Sequence, residues 1–105
     1  MKIGFNMGVV PIDYQQAKVD ENDLQFAAQM GATHVVLQSY ANAGIVPGDE
    51  RWEYDDLVQL RQRVEDAGLI LEALENVPLK FYDQVMLGGP DRDRQIENMV
   101  YTVRN

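Results

Sequence analysis

The chain has 105 residues, with nine Lys and Arg against 17 Asp and Glu, one His and no Cys, for a formal net charge of −8. That length fits one domain, and a 46% hydrophobic, 25% charged composition speaks against disorder. The absent cysteines exclude a disulfide scaffold and thiolate-ligated zinc or iron–sulfur sites within these residues, the acidic balance argues against nucleic acid, and no apolar run approaches the ~18 residues of a membrane span.

The first strand is predicted over residues 3–10, where Ile3-Gly4-Phe5-Asn6-Met7 alternates large with small or polar residues. A helix follows over 21–30: Asp20 suits an N-cap, Asp23 suits the positive end of the helix dipole, and Leu24, Ala27 and Ala28 make one buried stripe before Gly31. Residues 33–38 read as a second strand whose Val35-Val36-Leu37 centre suits a parallel strand buried on both faces. The second helix is predicted over 54–67, with Leu57, Leu60, Val64 and Ala67 inward and Gly68 at its end, and the third strand over 69–75. A third helix begins near Pro90 or Asp91, with Ile96, Met99, Val100 and Val103 as its apolar stripe.

The connections are asymmetric. Helix-to-strand links take one or two residues, whereas the strand-to-helix links (10–20, 39–53 and 76–89) are long. Long loops in compact domains are usually functional, and in parallel α/β folds these loops gather at the carboxyl ends of the strands, where ligands bind. Glu75 and Gln38 end their strands and Asn6 lies near the end of the first. A carboxylate and two amides there suit a polyol, which needs both donors and acceptors. Trp52 closes a Gly/Pro-bearing loop and either shapes the pocket or staples that loop to the second helix. Tyr40 and Tyr82 are weaker versions of the same case. His34 stands near the start of its strand, the stability end, and reads as a packed, hydrogen-bonded residue. Glu72 reads as structural, paired with a helix Arg, and Arg92 and Arg94 as partners of Asp91, Asp93 or Glu97.

Three βα units fit either a small doubly wound sheet or three-eighths of a (β/α)8 barrel. Three parallel strands with two open edges make a poor independent domain, and no fourth strand follows, which favours an N-terminal βαβαβα piece of a barrel, a single partial domain over 1–105. The segments Gly31-Ala32-Thr33-His34-Val35-Val36, Val46-Pro47-Gly48 through Trp52, Val64-Glu65-Asp66-Ala67-Gly68-Leu69, Glu75-Asn76-Val77-Pro78 and Arg92-Asp93 before Ile96-Glu97-Asn98 resemble the N-terminal part of mannonate dehydratase. That family belongs to the xylose-isomerase-like TIM barrels of sugar isomerases and epimerases. The resemblance implies a hydro-lyase that takes D-mannonate to 2-keto-3-deoxy-D-gluconate and water, with Mn²⁺ or Fe²⁺ as Lewis acid. It further implies a place in carbohydrate catabolism and a sugar-acid ligand, with Glu75, Asn6, Gln38 and Trp52 as the candidate contacts; a homo-oligomer is expected, and the composition points to a cytoplasmic protein.

The family's His, Cys and Asp metal ligands lie on later strands, so no residue here is assigned to metal and the chain alone is expected to be inactive. Two stretches depart from the family pattern. Gln38-Ser39-Tyr40-Ala41-Asn42-Ala43 stands where those enzymes often show histidine, and the opening Ile3 to Gly8 is less aromatic. The alternatives are a sugar isomerase or epimerase of the same superfamily and a non-catalytic α/β binding module that acts as a dimer.

Overall fold

The computed structural model describes residues 2–7, 21–38 and 46–105, with the backbone alone at 5–7 and 38. In chain order these form β1 (Gly4–Met7), α1 (Glu21–Gln29), β2 (His34–Gln38), α2 (Tyr54–Asp66) and β3 (Ile70–Glu75), then a 3-10 turn (Leu79–Phe81), α3 (Asp83–Leu87) and α4 (Arg92–Arg104). Among the described residues the strands make one parallel sheet in the order β1-β2-β3. The expected α/β class with parallel strands is what the chain adopts. The predicted N-cap at Asp20 and the first-strand residues 8–10 lie outside the described residues.

Local chemistry accounts for the first two units. Glu21 and Asp23 occupy the first turn of α1, and Asp55 and Asp56 that of α2, where the exposed N–H groups favour negative charge. Each helix ends at a glycine in the left-handed region, Gly31 at φ 89° and Gly68 at φ 82°, a conformation that costs an L side chain about 1–2 kcal/mol. Thr33 then ties the sheet at its start: its Oγ1 accepts from the Ile3 N–H at 2.9 Å, while its own N–H donates to the Ile3 carbonyl.

The core lies on one side of the sheet. Leu24 and Ala27 from α1 and Leu60 and Val64 from α2 cluster with Val35, Leu37 and Leu69, all buried. Burial of each Leu or Val side chain contributes about 1.5–3 kcal/mol. Val36, between Val35 and Leu37, is only half-buried. The expected two-faced burial of β2 is therefore corrected to one face, because α1 and α2 both pack on the side of Val35 and Leu37 and strand residues alternate.

Strand β3 carries a bulge. Val35 pairs with Leu71 but Val36 with Ala73, so Glu72 is the extra residue. Leu71 and Leu74, three apart, thereby both reach the core while Ile70, Ala73 and Glu75 are exposed. Glu72 meets the Lys2 ammonium at 3.6 Å and His34 Nε2 at 3.8 Å; its partners are these rather than a helix Arg. Arg92 pairs with Asp93, and Arg94 with Asp91 and Glu50.

The third connection is no open loop. Pro78 and Phe81 are buried, and the Phe81 ring meets Trp52 edge to face with centroids 6.1 Å apart. The predicted stripe of the last helix is also corrected. Ile96 and Val100 are exposed and Val103 is 77% exposed, whereas Thr102 is buried and Met99 packs on the core. Polar contacts with the turn and the 46–53 loop select the inward face of α4 over its apolar periodicity.

Candidate functional site

The sheet register brings the sequence-predicted positions to one edge. Glu75 and Gln38, the last residues of β3 and β2, pair directly, and Asn6 pairs with Val36, which in turn pairs with Ala73. Adjacent strands lie ~4.8 Å apart and same-face residues ~6.6 Å apart along a strand, so position 38 lies directly beside 75, whereas position 6 stands two strands and one same-face step from 75, roughly 11–12 Å away. Glu75 shares the register of Ala73 and Val36, on the sheet face opposite buried Val35 and Leu37. The carboxylate of Glu75 is exposed there. What the side chains of Asn6 and Gln38 contact, and all of Tyr40, lie outside the described residues.

Immediately after Glu75, Asn76 takes φ 68°, making it the one non-glycine in the left-handed region among the described residues. The corner it makes sends Val77, Pro78 and Phe81 back onto the core and leaves Glu75 and Asn76 exposed at the carboxyl edge. Sequence reasoning placed Asn76 in a loop without singling it out. The signal was present: Asn is enriched several-fold among non-glycine residues with positive φ.

Trp52 lies in the core. It is 5% exposed within the core cluster. Its N–H donates to Thr102 Oγ1 at 3.2 Å, and its indole Nε1 is buried without a hydrogen-bond partner among the described residues. Tyr82 is half-buried against the same cluster. The residues on either side of Trp52 fasten the 46–53 loop to α4. Glu53 accepts from Tyr101 Oη at 2.7 Å and from Arg51 Nε at 2.9 Å, and the Arg51 guanidinium lies 3.8 Å from the Tyr101 ring centre. The Tyr101 hydroxyl first, and Arg51 second, hold the Glu53 carboxyl below its ordinary range.

Three comparisons bear on what this edge belongs to. The sequence profile of the D-mannonate dehydratase (UxuA) family matches residues 8–105. The chain belongs to that family. Mannonate dehydratases of Thermotoga maritima and Streptococcus agalactiae serotype Ia are 42% and 40% identical to it over 60 residues, 57% of this chain and 16% and 17% of theirs. The crystal structure of mannonate dehydratase from Streptococcus suis serotype 2 superposes with a TM-score of 0.65 at 27% identity, over 99% of this chain and 26% of that one. The chain thus spans about a quarter of the solved relative.

Dehydratases of this kind are generally metal-dependent, and the donor set here was tested against such an ion. Among the described residues no group of three or more His, Cys, Asp or Glu side chains could hold a metal. His34 stands at the opposite end of β2 from Gln38, its Nδ1 2.7 Å from Thr33 Oγ1. These residues do not fit a metal site. Two adjoining concavities, of about 690 and 120 Å³, lie between the 46–53 loop and α4, sharing Asp49, Glu50, Arg94 and Asn98; the smaller is also lined by Lys80 and Gln95. Their cations are already paired: Lys80 with Asp49 at 3.1 Å and Arg94 with Glu50 at 2.9 Å. The carboxyl edge is the better candidate, and its chemistry is that of hydrogen bonding to hydroxyls.

Proposed function

We propose that residues 1–105 are the N-terminal portion of a mannonate dehydratase, three βα units of a (β/α)8 barrel, and supply one wall of its sugar-acid pocket. The match of the D-mannonate dehydratase family profile to residues 8–105 carries this reading, and the pairing of positions 38 and 75 at the carboxyl end of the sheet is consistent with it. Glu75 accepts hydrogen bonds from substrate hydroxyls, and the amides of Asn6 and Gln38 accept and donate. Trp52 supports the wall by holding the 46–53 loop.

The overall reaction removes water from D-mannonate to give 2-keto-3-deoxy-D-gluconate. The divalent metal and its ligands belong to later parts of the protein, so no chemical step is assigned to this chain; it binds and orients. A cytoplasmic location and assembly into a homo-oligomer belong to the same proposal. Among the described residues no helix is long and apolar enough to cross a membrane.

The test is the dehydration of D-mannonate by the protein that contains this chain, assayed with Mn²⁺, beside its Glu75→Gln variant. Formation of the 2-keto-3-deoxy acid, with KM raised about tenfold or more in the variant by weakening of charge-assisted hydrogen bonds, is the expected result. Isomerised or epimerised sugar in place of the keto acid would move the assignment to the sugar isomerases.

A further inference from the structure

The left-handed corner after β3 is held by Asn76, a residue that tolerates this conformation but less freely than glycine. Four other described residues have positive φ, and all are glycine: Gly31, Gly48, Gly68 and Gly88. Glycine enters this region at no steric cost, whereas a side chain there is strained. At φ 68° the chain nevertheless carries Asn76. The common compensation for Asn in this conformation is a local hydrogen bond from its own amide. Asn76 makes no such bond: its amide has no hydrogen-bond partner among the described residues, and the residue is exposed. A strained non-glycine residue whose side chain does nothing for the fold points to a role in a ligand site.

Its place supplies the ligand chemistry. Asn76 directly follows Glu75, at the end of the strand whose pairing aligns positions 38 and 75. An amide donates as well as accepts, while Glu75 only accepts, so the two together match a hydroxyl or carboxylate of an anionic polyol that Glu75 alone would repel. We propose that Asn76 is a substrate-contacting residue whose amide N–H donates to a sugar acid at this edge. This rests on the sugar-acid reading of the site and adds a residue and a polarity to it.

The closing experiment compares wild type, Asn76→Gly and Asn76→Asp in the full protein that contains this chain. Its readouts are kcat and KM for D-mannonate, calorimetric titration with D-mannonate and with its C2 epimer D-gluconate, and thermal unfolding. Asn76→Gly keeps the corner, so its unfolding temperature holds or rises, while Kd and KM increase about three- to tenfold for one lost neutral hydrogen bond. Asn76→Asp keeps the shape but removes the donor and adds a negative charge, so its loss is larger. Should Asn76→Gly fail to fold, Asn76→Asp carries the comparison. A variant that folds and binds like wild type overturns the proposal and leaves the dehydratase reading standing. A wild-type protein that binds a sugar acid without dehydrating it ends the dehydratase reading, and the variant dissociation constants still decide on Asn76. No binding of either sugar acid by wild type overturns both.

Discussion

Gln95 holds more of the third connection than any other side chain. Its Oε1 accepts from the N–H groups of Gln84 at 2.9 Å and Val85 at 3.2 Å, and its Nε2 donates to the Lys80 carbonyl at 3.1 Å and to Asp83 Oδ1 at 2.7 Å. The start of a five-residue helix, too short to stand alone, is thus satisfied by a residue of α4. Gln95→Ala removes these four bonds, but the Gln84 N–H keeps Asp83 Oδ1 at 2.9 Å and the Val85 N–H is exposed to water, so the expected cost is about 1 kcal/mol, read as a lower urea midpoint at unchanged m-value. The sequence did not single out Gln95, since nothing in its neighbours announces the elements that converge on it. Glu53 makes the second prediction at this scale. Its folded carboxyl lies below the ordinary value of 4.5, chiefly through Tyr101 and then Arg51. A depressed carboxyl contributes stability above its unfolded pKa and loses it as pH falls through the folded one. The gap in unfolding temperature between wild type and Glu53→Gln should be full at pH 7 and close on acidification below about 4.5. A gap unchanged at low pH would place the effect of the substitution elsewhere.

Elements differ in how far local signals determine them. Helices α1 and α2 start and stop within one residue of their sequence-predicted bounds, because acidic first turns and terminal glycines act within a few residues. Strand β3 was legible as a strand, but its bulge was not: an extra residue at Glu72 shows only when Leu71 and Leu74 must both face the core. The turn and α3 were missed for the same reason, since Phe81 is drawn inward by Trp52, 29 positions away in sequence. Helix α4 shows long-range override in the other direction. Its periodicity names Ile96, Val100 and Val103, yet these are exposed, and the inward face is set by Thr102 and Gln95 through hydrogen bonds. Each of Ile96→Lys, Val100→Lys and Val103→Lys is therefore expected to change the stability of the 105-residue chain by no more than about 0.5 kcal/mol. The triple variant should bind less of an apolar-surface dye such as ANS. A cost above about 2 kcal/mol for any one of them would mean that this stripe is covered in solution.

Among the described residues the sheet has one face clad by helices and an opposite, bare face that no helix covers. The chain's radius of gyration of 14.8 Å exceeds the ~13 Å of a compact 100-residue domain, and apolar residues such as Ile70, Ile3 and Val100 are exposed. The candidate site is at the rim of the bare face, which is why composition and periodicity could place Glu75 at a strand end but not say what faces it across the pocket. The asymmetry between the faces can be measured within a single strand. Leu37→Ala removes a buried side chain packed between the sheet and its helices and should cost about 2–5 kcal/mol. Val36→Ala, one residue away on the bare face, leaves no enclosed cavity and should cost about 1 kcal/mol or less in the 105-residue chain. In the longer protein proposed above, where the bare face becomes a barrel interior, the Val36 cost should rise toward that of a buried position while the Leu37 cost stays the same. Urea unfolding of both variants in both lengths gives the comparison directly. If Val36→Ala is already costly in the short chain, and the cost falls on dilution, the bare face is buried by a second copy, and the dimeric binding module becomes the better account of the fold.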